Sequence, residues 1–142
     1  MLPEGNPELG TVAKVVGDLG LRFKPMLNVL FVCSRNRLRS PTAEMVFSSW
    51  PGIEVASAGL DGDADKLVTP DLVAWADVIF VMEKAHRNRL RQKFHAYLAS
   101  QRLICLNIPD EYEYMDPLLV KLLKALVPRY LHYRGLPYEA GD

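Results

Sequence analysis

The sequence has few cysteines, no excess charge and no long apolar run, and each absence excludes a class of protein. Two cysteines in 142 residues are too few for a disulfide framework, so we expect free thiols in a reducing compartment. The 17 basic residues balance the 17 acidic ones, which leaves no overall field to attract nucleic acid or an anionic membrane. No apolar run approaches the roughly 18 residues that cross a bilayer, and the first ten residues lack the pattern of a signal peptide. These features predict a cytoplasmic protein with no membrane partner.

The composition that is present is typical of one folded domain. Hydrophobic residues make up 49% of the chain and charged residues 24%, both close to the averages for globular proteins. Residues 1–25 are rich in proline and glycine, and within them only residues 9–16 have the pattern of a short helix. The character changes at Met26. We therefore predict an N-terminal extension at 1–25 and a single domain at 26–142.

From residue 27 onward, short β-type apolar segments alternate with helical patterns. The predicted strands are 27–33, 53–57, 77–82 and 102–106, and the predicted helices are 40–47, 70–76, 84–98 and 117–127. Ser40 is placed to cap the first helix, with Pro41 in its first turn. This alternation predicts an α/β fold, a three-layer sandwich around a four-stranded parallel sheet.

The loop between the first strand and the first helix carries the chemistry. It reads Cys33-Ser-Arg-Asn-Arg-Leu-Arg39, followed by Ser40. Backbone N–H groups in such a loop, with the positive end of the helix dipole, bind a tetrahedral oxyanion and stabilise a thiolate. Cys33 is therefore expected to be a nucleophile aided by the Ser40 hydroxyl, and Arg39 to hold phosphoryl oxygens with its planar fork.

The motif from Val29 to Glu44 resembles the signature of the low-molecular-weight protein tyrosine phosphatases. The match consists of an apolar strand, Cys33, an asparagine at 36, Arg39 and the run Ser-Pro-Thr-Ala-Glu after it, and it extends to residues 55–59 and 77–82. The resemblance implies the family's compact fold, a cysteinyl-phosphate mechanism and hydrolysis of phosphotyrosine. It also implies that Asn36 braces the loop through an unusual backbone conformation.

The resemblance places the general acid on the loop after the fourth strand, where two aspartates compete. Asp116 stands before a proline, as in the family, but this arrangement is also that of a helix N-cap. Asp110 lies closer to the strand end, and we prefer it. Tyr112 and Tyr114 would then wall the substrate pocket. The predicted site therefore has Cys33, Ser40, Arg39 and Asp110 as catalytic residues, two pocket tyrosines, and a phosphate-binding set. That set is Ser34, Arg35, Asn36, Arg37, Leu38 and Arg39.

Three departures from the family pattern bear on the substrate. Arg35 stands where the family usually has glycine, and Leu38 where it has a second cysteine, which removes a protective disulfide partner for Cys33. Arg35 and Arg37 add two cations, which allows a more anionic substrate such as a nucleotide or a nucleic-acid end. The segment 59–69 is shorter than in the family and predicts a more open site.

No metal or cofactor is expected, because the three histidines have no metal-ligand spacing with the cysteines. The basic run along helix 84–98 is interpreted as a solvated face. The predicted partner is thus a phosphorylated substrate, a phosphotyrosine protein or another phosphate ester. The alternatives are a phosphatase acting on nucleotides or nucleic-acid ends, a silent phosphate-binding module and, less favoured, an arsenate reductase.

Overall fold

The computed structural model describes residues 26–133 and 136–137, and a four-stranded parallel sheet lies at its centre. The strands are β1 (Leu27–Cys33), β2 (Ile53–Gly59), β3 (Val78–Val81) and β4 (Arg102–Cys105). They are arranged in the order β2-β1-β3-β4, and every neighbouring pair is parallel. The predicted fold class is confirmed. The predicted N-terminal extension, with its short helix, lies outside the described residues.

Three helices connect successive strands of the sheet, and a fourth follows its last strand. They are α1 (Arg39–Phe47), α2 (Pro70–Trp75), α3 (Lys84–Phe94) and α4 (Pro117–Leu126). The predicted third helix runs too far: α3 ends at Phe94 because the chain tightens into a 3-10 turn at His95–Tyr97, with the N–H of Leu98 bonded to the His95 carbonyl. Across the described part of the chain, no helix has the length and apolarity needed to span a bilayer. The cytoplasmic location stays a prediction.

Strand β1 is apolar at nearly every position because helices cover both faces of the sheet. Val29 and Phe31 belong to a core with α1 and α4, whereas Leu30 and Val32 belong to a second core with α2 and α3. The Phe31 ring stacks against Phe47 of α1, with ring centroids 5.8 Å apart. Successive residues therefore face opposite cores, which is the arrangement that a continuous apolar run predicts.

The carboxyl ends of the central strands meet at one edge of the sheet. Val32 of β1 pairs with Val81 of β3, so the chain leaves both strands at the same level. The loop after β4 joins them there, because the N–H of Ile108 donates to the carbonyl of Met82 at 2.8 Å. Three loops thus converge where parallel α/β sheets bind their ligands.

Candidate active site

The loop at 33–39 folds around the sulfur of Cys33. The Ser40 Oγ lies 2.9 Å from Cys33 Sγ, and the backbone N–H of Asn36 donates to the same sulfur at 3.3 Å. These two contacts fix the position of the sulfur in the loop. The cysteine itself is almost fully buried, with 4% exposure. The structure thus places a buried and hydrogen-bonded Cys33 sulfur at the end of β1.

The predicted helix cap at Ser40 is wrong. Helix α1 begins at Arg39, its N-cap is Leu38, and no side chain caps it. Ser40 lies inside the first turn and is fully buried, because its hydroxyl contacts the Cys33 thiol and accepts from Asn36. The residue therefore contributes to the site, not to the helix end.

Asn36 has a left-handed backbone and links the loop to the sheet. Its φ is 57°, a conformation that asparagine tolerates better than most residues. The buried Nδ2 group donates to Ser40 at 3.0 Å and to Ser57 of β2 at 2.9 Å. Ser57 donates in turn to the carboxylate of Glu44 on α1. These bonds fix the curvature of the loop without using any group that faces the cleft.

The segment after β2 satisfies the carbonyl groups of the loop from outside. The carbonyls of Cys33, Ser34 and Arg35 accept from backbone N–H groups of residues 60, 61 and 65 at 2.8–3.0 Å. This close approach requires a glycine at position 59, where an added Cβ would lie 2.6 Å from the Ser34 carbonyl oxygen. Because the carbonyls are bonded on the outer side, they do not compete with an anion on the inner side.

Arg39 is buried, and neighbours fix one end of its guanidinium. The Nη1 group donates to the carbonyl of Ile108 at 2.7 Å and to the carboxylate of Glu83. On the other edge, Nε lies 3.6 Å from Asp110 Oδ1. Only 4% of the Arg39 side chain is exposed, so its orientation is set by these partners.

The two candidate acids occupy different places. Asp110 faces the same cleft as Cys33 and Arg39. Asp116 is the N-cap of α4, where its Oδ1 accepts from the Leu118 N–H at 2.9 Å. The geometry therefore favours Asp110 as a proton donor, and Asp116 has the capping position that its place before Pro117 predicted.

A cleft of about 470 Å³ opens above the nucleophile. Its lining residues are Cys33, Ser34, Arg35, Arg37, Leu38, Arg39, Asp61 and Asp110. Tyr112 and Tyr114 are not among them: Tyr112 packs against a hydrophobic core and Tyr114 is 47% exposed. Their contact with a bound substrate stays a prediction. Among residues 26–133 there is no cluster of three side chains suited to a metal ion.

The two additional loop arginines lie at the rim of the cleft and pair with the acidic segment 61–65. Arg37 Nε lies 3.2 Å from Asp65 Oδ1, and its Nη2 donates to the Asp63 carbonyl. Arg35 Nε lies 3.8 Å from Asp61 Oδ2. Both arginines are well exposed, at 59% and 43%. Nearby carboxylates thus balance the extra charge that had suggested a polyanionic substrate.

Sequence reasoning missed Glu83 and His86, which follow β3 and contact the loop. Glu83 binds Arg39, and His86 Nε2 lies 3.0 Å from Ser34 Oγ. Burial, followed by the positive charge of Arg39, lowers the pKa of His86 from its ordinary value of 6.5. The available signal was their position just beyond the end of a central parallel strand, where site residues gather.

Comparison with solved structures shows which known proteins share this fold. The chain matches the low-molecular-weight protein tyrosine phosphatase SP-PTP of Streptococcus pyogenes with a TM-score of 0.62 and 18% identity, over 75% of this chain and 95% of the other. It matches Vibrio vulnificus Wzb in complex with benzylphosphonate with a TM-score of 0.55 and 25% identity, over 69% and 90%. It matches the YwlE arginine phosphatase of Geobacillus stearothermophilus with a TM-score of 0.58 and 20% identity, over 72% and 92%.

No family model matches the sequence, and no curated protein does. The similarity to known proteins is therefore found by comparing structures. The chain has the fold of the low-molecular-weight protein tyrosine phosphatases, and the resemblance predicted from the loop motif is confirmed at that level.

Proposed function

We propose that this chain is a cysteine-dependent phosphatase that hydrolyses phosphate monoesters through a cysteinyl-phosphate intermediate, and that residues 26–142 form its phosphatase-like domain. The observation that carries this proposal is the meeting of Cys33, Arg39 and Asp110 in one cleft, with the sulfur hydrogen-bonded by Ser40 and Asn36. The fold shared with known phosphatases supports it. The reaction needs a nucleophile, a clamp for the phosphoryl oxygens and a proton donor, and each is present.

In the first step the Cys33 thiolate attacks phosphorus. An S–P bond forms, and the bond between phosphorus and the leaving oxygen breaks with its electron pair on that oxygen. Arg39 and the loop N–H groups hold the remaining phosphoryl oxygens and the charge that develops on them. Asp110 donates a proton to the leaving oxygen. A phosphoryl group that binds Arg39 Nε would displace Asp110 from its contact there and free the carboxyl group for this transfer.

In the second step water releases the phosphate. Asp110 has lost its proton in the first step, so it accepts one from the attacking water. The new P–O bond forms as the S–P bond breaks, and Cys33 returns as a thiolate held by Ser40 and Asn36. Both steps use side chains of this chain only.

The substrate class rests on the walls of the cleft. Phosphotyrosine is the substrate that the sequence resemblance implies, and one structural neighbour holds benzylphosphonate. Phosphoarginine is a second candidate, because no aromatic side chain of the described residues lines the cleft, whereas Asp61 and Asp110 do. It is a phosphoramidate and not an ester: in the first step its P–N bond would break, and Asp110 would donate the proton to the leaving guanidine nitrogen. Carboxylates suit a guanidinium leaving group better than a phenol. Of the two, Asp61 already pairs with Arg35 and Arg89, so Asp110 is the main partner for such a group. One neighbour is an arginine phosphatase.

Hydrolysis of nucleic-acid ends, silent phosphate binding and arsenate reduction have less support. The structural neighbours do not favour a phosphatase of nucleic-acid ends, and the ion pairs of Arg35 and Arg37 lower their availability to a polyanion. A silent binding module would bind phosphate and vanadate without turnover. Arsenate reduction requires thiols that pass electrons onward, and Leu38 occupies the place of the obvious one.

The test is hydrolysis of p-nitrophenyl phosphate without added metal. We expect turnover by the wild type, none by Cys33→Ser, and a loss of about 100-fold or more in Asp110→Asn. Asp116→Asn is the matched control, since asparagine also caps helices and this variant should keep its activity. Peptides with phosphotyrosine or phosphoarginine and a 5′-phosphorylated oligonucleotide then compare the substrate classes. Turnover by Cys33→Ser would overturn the proposal.

A further inference from the structure

Glu83, the N-cap of α3, and His86, in its first turn, contact opposite ends of the phosphate-binding loop. The Glu83 carboxylate binds Arg39, the last residue of the loop, and the His86 ring contacts Ser34, next to the nucleophile. The two residues are also bonded to each other, because the Glu83 N–H donates to His86 Nδ1 at 3.1 Å. The start of α3 therefore contacts both ends of the loop through two residues that are bonded to each other.

Glu83 determines which edge of the Arg39 guanidinium faces the cleft. Nη1 carries two hydrogens, and the Glu83 carboxylate and the Ile108 carbonyl accept both. The donors that remain are Nε and Nη2, which lie side by side on the opposite edge and form a fork for two oxygens. Asp110 lies on this edge in the ligand-free structure, at 3.6 Å from Nε. Glu83 and Ile108 line a separate groove and are not among the residues that line the cleft.

The hydrogen bonds of His86 fix its tautomer. Because Nδ1 accepts from the Glu83 N–H, the ring proton is on Nε2, which donates to Ser34 Oγ. The Ser34 oxygen thus has its donor from the protein, and its own hydroxyl hydrogen is left for an acceptor elsewhere. Ser34 lines the cleft. His86 is 2% exposed, so this neutral, oriented ring is a permanent part of the loop's support.

We propose that Glu83 and His86 are positioning residues of the phosphatase site: Glu83 presents the Nε/Nη2 edge of Arg39 to the phosphoryl group, and His86 orients the Ser34 hydroxyl toward it. The inference rests on the proposed function for its effect on turnover. Its effect on oxyanion binding does not depend on that function.

The Glu83 arm uses Glu83→Ala, the conservative Glu83→Gln and, as a matched loss of charge, Glu54→Gln on the exposed face of β2. We expect Glu83→Ala to lower kcat/KM about 100-fold, as expected when a catalytic group is misplaced by about 1 Å, and to weaken vanadate binding in calorimetry. Glu83→Gln keeps an acceptor for Nη1 and should fall between wild type and Glu83→Ala. Glu54→Gln should match the wild type.

The His86 arm separates the two ring nitrogens. His86→Asn keeps an acceptor near the position of Nδ1 but loses the donor to Ser34, whereas His86→Gln keeps a donor near Nε2. We expect His86→Asn to cost as much kcat/KM as Ser34→Ala, the double variant to cost no more than either, and His86→Gln to restore part of the loss. The control is His95→Gln, which alters an exposed histidine at the other end of the helix.

The results distinguish this inference from the proposed function. Wild-type turnover with unchanged kcat/KM and vanadate affinity in Glu83→Ala would overturn the positioning role, as would additive losses in the Ser34 and His86 double variant. A drop in melting temperature with normal kcat/KM per folded molecule would show a structural role only and would also overturn it. If the wild type has no turnover but Glu83→Ala still weakens vanadate binding, the proposed function fails and the positioning role stands.

Discussion

The inner side of the loop 33–39 and its outer rim are held by different kinds of interaction. On the inner side, Asn36, Arg39 and Ser40 are buried, at 3%, 4% and 0% exposure, and their polar groups are bonded to fixed partners. On the rim, Arg35 and Arg37 are exposed and pair with aspartates at 3.2–3.8 Å. The proposed mechanism uses residues of the first set, whereas residues of the second set line the rim of the cleft.

This difference shows how one short loop can be rigid and adaptable at once. Buried hydrogen bonds are directional and costly to leave unmade, so they fix the sulfur and the guanidinium. Exposed ion pairs contribute little to stability and are screened by salt, so the rim arginines are able to exchange partners when a substrate arrives. Substitutions on the two sides should therefore differ in size and in salt dependence.

The largest effect is expected at Arg39. Arg39→Lys keeps a positive charge but removes both the fork toward the phosphoryl group and a donor to Glu83 or Ile108. We expect kcat/KM for an aryl phosphate to fall about 1,000-fold, the scale for losing preorganised donors. Arg37→Lys makes the same change on the rim and should cost less than about ten-fold, because its partners are exposed. Equal losses would contradict the division between the two sides.

Asn36 tests the inner side through stability. Asn36→Ala leaves Ser40 and Ser57 without a donor and puts alanine at a φ of 57°, so unfolding free energy should fall by about 2–4 kcal/mol. Asn36→Gly removes the same side chain without the backbone strain and should lose less. Urea unfolding of the wild type, Asn36→Ala and Asn36→Gly measures the cost of the lost hydrogen bonds and the cost of the backbone strain. An Asn36→Ala protein as stable as the wild type would contradict the claim that the buried hydrogen bonds of Asn36 stabilise the loop.

The lowered pKa of His86 predicts a dependence of stability on pH. Burial is the largest cause, and the positive charges of Arg39 and Arg89 act in the same direction. These effects outweigh the negative charges of Glu83 and Asp61, so the folded state favours the neutral ring. The unfolded chain therefore binds a proton at His86 more readily than the folded protein does. The contribution of the neutral ring to folding stability is fully present above pH 6.5 and is lost as the pH falls through the lower pKa of the folded state. His86→Gln should flatten this slope in denaturant midpoints measured from pH 7.5 downward, whereas His95→Gln should not.

The smallest effect is expected at the rim. Arg35→Gln and Arg37→Gln each break exposed ion pairs with the segment 61–65, and each should change unfolding free energy by less than about 1 kcal/mol. Added salt should reduce even this difference. A loss as large as that of Asn36→Ala would show that the rim holds the loop together.

The parts of the fold and site with local signals could be predicted from the sequence. The apolar run of β1, the loop 33–39 and the helix pattern after it are contiguous, so their order alone predicts a parallel sheet with an oxyanion loop at its edge. The dipeptide Asp116-Pro117 was also a local signal, and it starts a helix in the structure. Asp110 as the general acid stays a proposal. The N-terminal extension at residues 1–25 stays a prediction.

The parts that depend on distant contacts could not be predicted. Glu83 reaches Arg39 across 44 positions of sequence, and nothing near either residue indicates the pair. The pairing of the acidic segment 61–65 with Arg35 and Arg37 becomes visible only once β1 and β2 are side by side. Ser40 has the sequence signature of a helix cap, but a buried thiol next to it determined its position.

The most direct test of the proposed mechanism is to trap the covalent intermediate. Asp110→Asn protein is mixed with p-nitrophenyl phosphate, quenched in acid within one turnover and analysed by intact mass and peptide mapping. We expect one phosphoryl group on Cys33, which is absent when Cys33→Ser is added to the same background. Turnover with no phosphorylated protein, or a phosphoryl group on another residue, would contradict the mechanism.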